Sequence, residues 1–323
     1  MIGLIRWPHK NINSSRGGLG RPYVYSPTVI LKCFIVRIWF RLDSNRALHE
    51  YLATDIPYNK KVMKVCGLSR IPSRRTFDRR LASISNDIKN RITIMGELFV
   101  HDKIIDTCVL STDCTLIKAK GYVWHKSSMT EGVVPRSGID TDAMWGFSHT
   151  KGWIFGYKLH MVASTGSIIV PLAADFTTAN IPDNQMYSVL AASLPIAIIK
   201  KMLYMSADPG YDDHELYDLS TDMGFRLVCP VQRYKNTPEE RIKLIEFYES
   251  NVGQIIYSLR STSIEPLIGH IKSAFRIDPL PVRGYDTTCA IVLLSVLLYQ
   301  ILVYYNCKTN KDNPMAIKYL LGT

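Results

Sequence analysis

The sequence has 323 residues, with 39 Lys and Arg against 28 Asp and Glu, a formal charge of +11, and 47% apolar residues. A chain of this length and apolar content buries a full hydrophobic core, as one medium domain with a smaller one or as a single large one, which excludes full-length disorder and a stapled miniprotein. The basic balance favours an anionic partner, nucleic acid or a membrane surface, without choosing between them.

Residues 1–25 are rich in Gly, Asn, Ser and Pro and read as a flexible arm. They show no apolar run of roughly 7 to 15 residues, so no secretory leader is expected. From Pro27 the segment VILKCFIVRIWF repeats apolar residues at helical spacing, and Asp43 or Ser44 is placed to cap a second helix from near Asn45. These elements predict a small helical domain over residues 26–98. Within it IPSRRTFDRRLASISNDIKNRI reads as one helix capped by Ser73, with Phe77, Leu81 and Ile84 on one side and Arg74, Arg75, Arg79 and Arg80 near the other. From Lys60 to Arg91 ten Lys or Arg stand against two Asp, a local net of +8. That density suits a helix lying on a phosphate backbone, where basic side chains displace condensed counterions; a solvated helix face is the plainer alternative.

Near residue 104 the pattern changes, and residues 99–307 read as a second, α/β domain followed by a tail at 308–323. IIDTCVLSTDCTLIKA is rich in branched apolar residues and predicts one or two strands with Asp113 inside. Residues 119–150 have no stable period and read as a long ordered loop. GWIFGYKLHMVAST and SIIVPLAADFT, separated by Gly166, predict a hairpin. A helix from Asn184 is interrupted at Pro195, a short strand ends at Asp208, HELYDLSTDMG is a helix closed by Gly224, and FRLVCPV is a further strand. The order describes a mixed sheet flanked by helices. The 17 largely apolar residues from Cys289 to Tyr305 reach only the short limit of a membrane span and include Gln300, so a buried core helix is expected and no membrane partner. Seven scattered cysteines with no CxxC pair suggest neither a disulfide framework nor a thiolate zinc site, and point to a reducing, cytoplasmic setting.

Three acids stand out by context: Asp113 in a hydrophobic strand pattern, Asp208 ending another in SADPGYDD, and Glu265 opening the run EPLIGHIKSAF. Burying carboxylates on apolar elements is costly unless they are paired or hold a cation. Convergence of two or three would give an all-oxygen site suited to Mg²⁺, and such a site can hold two ions. Turn-shaping by Asp208 and a helix-start role for Glu265 are the structural alternatives. Lys272 follows Glu265 by seven residues, about two helical turns, which aims both side chains the same way.

These segments resemble the DDE transposases of the insertion-sequence group that includes the IS4 and IS5 families. LKCFIVRIWFRLDSNRALHEYL through IPSRRTFDRRL is similar to the helical N-terminal domain, while STDCTLIKAK, GYKLHMVAST, ADPGYDD and the Tyr257–Lys272 block follow the catalytic domain in order. The resemblance implies a ribonuclease H-like fold with a five-stranded mixed sheet. It makes Asp113, Asp208 and Glu265 the catalytic and metal-holding triad, with two Mg²⁺ or Mn²⁺ ions. Tyr257, Arg260 and Lys272 become DNA-gripping residues. Four residues separate Arg260 from Glu265 where the family has three, so Arg241 or Arg276 is an alternative phosphate contact. Only 57 residues separate Asp208 from Glu265, which leaves no room for a large β insertion. Lys158, His160, Asn180 and Asp183 resemble positions near the DNA-facing side. The implied activity is metal-dependent cleavage and strand transfer of an insertion sequence, on double-stranded DNA, by a dimer at the nucleoid. An inactive DNA-binding remnant and a nuclease that cuts without joining are the rivals.

Overall fold

The computed structural model describes residues 24–148 and 150–322, so nearly all of the expected N-terminal arm, and His149, lie outside the described residues. The chain divides into two compact units with the boundary between Ser83 and Ile84.

The described part of the first unit consists of helices α1 (Pro27–Trp39), α2 (Asn45–Ala53), α3 (Pro57–Cys66) and α4 (Arg74–Leu81). Ser26, Ser44 and Ser73 each cap a helix by accepting a backbone N–H of the first turn, and the third ends where Gly67 turns left-handed at φ 82°. Leu31, Phe34, Leu48 and Phe77 are fully buried, and the Phe34 and Phe77 rings meet edge to face at 5.9 Å. A polar chain crosses this core: Arg37 donates to Asn45 and Asn45 to Asp78, each at 2.8 Å. Burial brings the Arg37 guanidinium down to about 10, against the pull of Asp78 and Asp43.

The single helix expected from Ser73 onward is two. It stops at Leu81, the Ser83 hydroxyl turns back onto the Arg79 and Arg80 carbonyls, and α5 (Ser85–His101) starts afresh. This second helix packs on α13 (Tyr285–Lys308) and β4 (Pro171–Thr178), so the boundary anticipated at residue 98 falls at residue 83.

The second unit continues with β1 (Val109–Lys118), α6 (Lys126–Thr130), β2 (Met144–Ser148), β3 (Gly152–Ser164), β4 (Pro171–Thr178), α7 (Asp183–Ser193), α8 (Ile196–Ile199) and β5 (Tyr204–Ser206). A 3-10 turn at Pro209–Tyr211 leads to α9 (His214–Asp222), β6 (Arg226–Val228), α10 (Glu239–Glu249), α11 (Asn251–Thr262), α12 (Ile264–Phe275) and α13 (Tyr285–Lys308). The strands form one mixed sheet in the order β2-β3-β1-β5-β6, with β4 also paired to β3. β1 runs antiparallel to β3 and parallel to β5, which is parallel to β6.

The predicted hairpin is β3 and β4, but β3 is buried at every position from Ile154 to Ser164, because helices cover both faces of the sheet. The sheet has six strands where five were expected. The extra strand, β2, lies in the segment read as a loop and pairs with the start of β3. Gly146 and Gly156 permit this crowding: a Cβ at Gly156 would stand 2.0 Å from the Ile117 carbonyl oxygen, and one at Gly146 2.4 Å from that of Ala179.

The apolar C-terminal run is a core helix, as expected: the most apolar window of α13 is 89% buried within the protein. Its buried Gln300 donates to the carbonyls of Ile92 on α5 and Pro171 on β4 at 2.9 and 2.8 Å. The tail returns onto this helix, with Ile317 fully buried and Asn306 bonded to both Pro314 and Tyr319.

Candidate active site

β1 and β5 are parallel neighbours with Ser111 opposite Ser206. Asp113 and Asp208 each lie two residues further along, so both project at the same level of the sheet. Asp208 follows the last residue of β5 by two and caps the 3-10 turn, where its carboxylate accepts from Gly210 N–H at 2.9 Å. Pro209 in the next position suits that turn's first residue.

α11 packs on β1 and β5 and α12 on β1, which brings Arg260 and Glu265 over the strands. The Arg260 Nη2 reaches Asp113 Oδ2 at 3.0 Å and Glu265 Oε1 at 3.5 Å. α11 ends at Thr262, Ser263 takes φ −117° and ψ −86°, and α12 begins at Ile264, so Arg260 and Glu265 lie on either side of a helix break.

The electrostatics follow from placing this group under the helices. Burial pushes the Asp113 carboxyl up to about 6; Arg260 opposes that, and the nearby Asp208 carboxylate reinforces it. Asp208 is also raised, first by burial, with Arg260 working against it. Burial penalises the Arg260 cation, but the Asp113 and Asp208 carboxylates outweigh it and leave the guanidinium above its ordinary value. Glu265 is half exposed, so one acid of the set opens to solvent.

Two carboxylate oxygens, from different elements, converge on one guanidinium nitrogen, and the Asp208 carboxylate is near enough for its charge to raise Asp113. The guanidinium marks where these oxygens accept positive charge, and a donor set made only of oxygens fits a hard divalent cation.

The remaining expected site residues separate into two groups. Tyr257 belongs to the cluster: its hydroxyl accepts from Arg260 Nη1 at 3.5 Å, and its ring lies 5.7 Å from the guanidinium. Lys272 does not. All three of its donors are engaged, at 2.8 Å on the Leu116 carbonyl, 3.3 Å on the Thr115 hydroxyl and 2.6 Å on Asp278, so it fastens α12 to β1 and has no donor left for a phosphate. Arg241 is spent on Asp212 and the Gln232 carbonyl, while Arg276 is exposed at the end of α12.

Lys158, His160 and Asp183 are not on an exposed DNA-facing surface. Cys114 stands in register with His160 on the sheet face opposite Asp113, and Asp183 of α7 covers them. His160 is fully buried with Nε2 bonded to Thr177 at 2.8 Å, and Lys158 is held by Asp183 at 2.7 Å and by the Ile181 carbonyl. Donor atoms of Cys114, His160 and Asp183 lie within 4.8 Å of one another, but the Lys158 ammonium already neutralises this carboxylate. Sequence reading passed over Cys114; its place next to Asp113, and so on the opposite face, was the available signal. Asn180 is exposed.

In the first unit, Arg75 and Arg79 are exposed, and Arg74 is mostly exposed beside Asp78 at 3.8 Å. A groove of about 350 Å³ is lined by Tyr25, Arg70, Ser73, Thr76, Arg79 and Arg80. It contains the capped start of α4, where free N–H groups and basic side chains coincide.

The model of the transposase DDE domain matches residues 105–301, more than half of the chain and all of the acid cluster. The chain belongs to the DDE transposase family. No curated protein matches its sequence. Similar solved structures include a piggyBac transposase synaptic complex with hairpin DNA, 9% identical over 91% of this chain and 69% of that one, with a TM-score of 0.40. A Mos1 transposase paired-end complex with the left transposon end is 9% identical over 90% of this chain and 80% of that one, with a TM-score of 0.22.

Proposed function

We propose that this protein is a transposase that cleaves the DNA ends of an insertion sequence and joins them to new DNA, on a ribonuclease H-like core without a large β insertion. The observation that carries the reading is the convergence of Asp113 and Glu265 on Arg260, with Asp208 at the adjacent strand end, inside the family-matched region. Asp113, Asp208 and Glu265 would hold Mg²⁺ or Mn²⁺, two ions in all. When bound, the ions supply charge neutralisation at the phosphodiester and a more acidic attacking water.

Asp113, on β1, and Asp208, at the cap of the turn after β5, fix one side of the site, and the half-exposed Glu265 completes it from α12. Arg260 holds positive charge beside the carboxylates and is oriented by Tyr257, so it meets the scissile phosphate as a planar donor. Water oxygen attacks phosphorus at the element's terminus and the bond to the 3′-oxygen breaks. That 3′-hydroxyl then attacks a target phosphorus in line, and the target's own bond from phosphorus to its 3′-oxygen breaks, leaving a 3′-hydroxyl on the target strand. The basic surface of α4 serves to hold duplex DNA through its phosphates, and a dimer brings two ends together at the nucleoid.

A nicking assay tests this, with Mg²⁺ and DNA carrying the element's flanking terminal repeats. Wild type nicks at the element boundary, and Asp208→Ala abolishes nicking while retaining DNA binding. Equal nicking by both proteins sinks the proposal.

A further inference from the structure

Each of the three acids is preceded, two residues earlier, by a buried serine: Ser111 before Asp113, Ser206 before Asp208, and Ser263 before Glu265. All three are 0% exposed, and their hydroxyls meet. Ser111 and Ser206 are 2.7 Å apart across the parallel pair β1 and β5, and Ser263, at the α11–α12 break, lies 3.4 Å from Ser111. Two backbone carbonyls close the set: Ser206 donates to Leu110 at 3.3 Å, and Ser263 donates to Leu259. One proton order satisfies every group. Ser111 donates to Ser206, Ser206 to Leu110, and Ser263 to Leu259 with Ser111 as a second acceptor.

Alanines would fill nearly the same volume, so packing alone does not explain three hydroxyls at one point. Hydroxyls add direction, and a buried hydroxyl left without its partner carries a desolvation cost. On β1, Ser111 and Asp113, two apart, share a face; Ser206 is the last residue of β5, two before Asp208; and at the break, Ser263 is the residue whose conformation separates α11 from α12.

We propose that the Ser111–Ser206–Ser263 hydroxyl cluster is a positioning device that sets the placement of the three carboxylates and thereby their affinity for a divalent cation. It rests on the reading of those carboxylates as metal-holding. The serines touch neither metal nor DNA; they act through the elements that carry the acids.

Mn²⁺ binding to the full-length protein, followed by the paramagnetic resonance of the free ion, tests this beside thermal melting. Ser206→Ala and Ser263→Ala are expected to weaken Mn²⁺ binding by about threefold to tenfold, the range of one lost hydrogen bond; Ser263→Ala keeps melting close to wild type, while Ser206→Ala, which leaves the Ser111 hydroxyl without its acceptor, also lowers it. Ser263→Thr, which keeps the hydroxyl, restores affinity. Unchanged affinity in both alanine variants overturns the proposal. So does a loss that tracks lowered melting and is not restored by threonine. Asp208→Ala separates the two levels. If it binds Mn²⁺ like wild type, the metal reading fails and the serine proposal with it; if it loses binding while the serine variants do not, only the serine proposal fails.

Discussion

At the scale of single residues, Asp113 is the group whose environment is set most sharply. Its carboxyl is raised to about 6 chiefly by burial, so the folded protein favours the protonated form. Its stabilising contribution is therefore full below the unfolded value of about 4 and lost as pH rises through about 6. Asp113→Asn removes this titration, so in melts without added metal the variant gains on wild type as pH rises from about 4 to about 7. A difference that stays constant over that range would contradict the assignment. Cation binding requires the ionised carboxylate, so nicking at fixed, subsaturating Mg²⁺ falls as pH drops through about 6, measured from initial rates. The three acids stood out as candidates by their place in apolar patterns, Asp113 inside one, Asp208 at the end of another and Glu265 at the opening of a third. The engagement of Lys272 was not legible: helical spacing aims it toward β1, but its partner Asp278 lies beyond the helix, where no periodicity points.

At the scale of elements, capping residues and apolar periodicity located most helices, and the departures have local causes. Ser83 stops α4 through its side-chain bonds, and Ser263 divides α11 from α12; both breaks depend on backbone geometry that a hydrophobic pattern does not encode. β2 was hidden because only five residues pair and its neighbours are Gly and aromatic residues.

The pairing of α5 with α13 has a testable pin. Asp102, at the end of α5, is held well below the usual carboxylate range by Lys308 first, then by Tyr304 and His101. A depressed carboxyl contributes stability that is present above pH about 4 and lost on acidification. Asp102→Asn lowers the melting temperature at pH 7, and the deficit shrinks as pH falls below about 4. On α13 itself Leu297 is fully buried, and Leu297→Ala is expected to cost about 2–5 kcal/mol in denaturant unfolding.

At the scale of the whole molecule, the +11 balance favours an anionic partner, and the basic density of residues 60–91 concentrates on α3, α4 and the first half of α5. Arg75→Ala and Arg79→Ala are each expected to weaken duplex DNA binding without regard to sequence, and to reduce the slope of log affinity against log salt by about one. Titrations at several salt concentrations check this; an unchanged slope removes those arginines from the phosphate contacts. The mixed sheet and its strand sequence were readable from pattern. The assignment of α5 to the second unit was not, since its amphipathic face suits a partner on either side of the boundary.

The central claim is that Asp113, Asp208 and Glu265 act together in joining DNA. The most direct measurement supplies a pre-cleaved element end bearing a 3′-hydroxyl, target DNA and Mg²⁺, and quantifies covalently joined product. The account predicts joining by wild type and its loss in Asp113→Asn, Asp208→Ala and Glu265→Gln alike. Joining that survives in any of the three would contradict it.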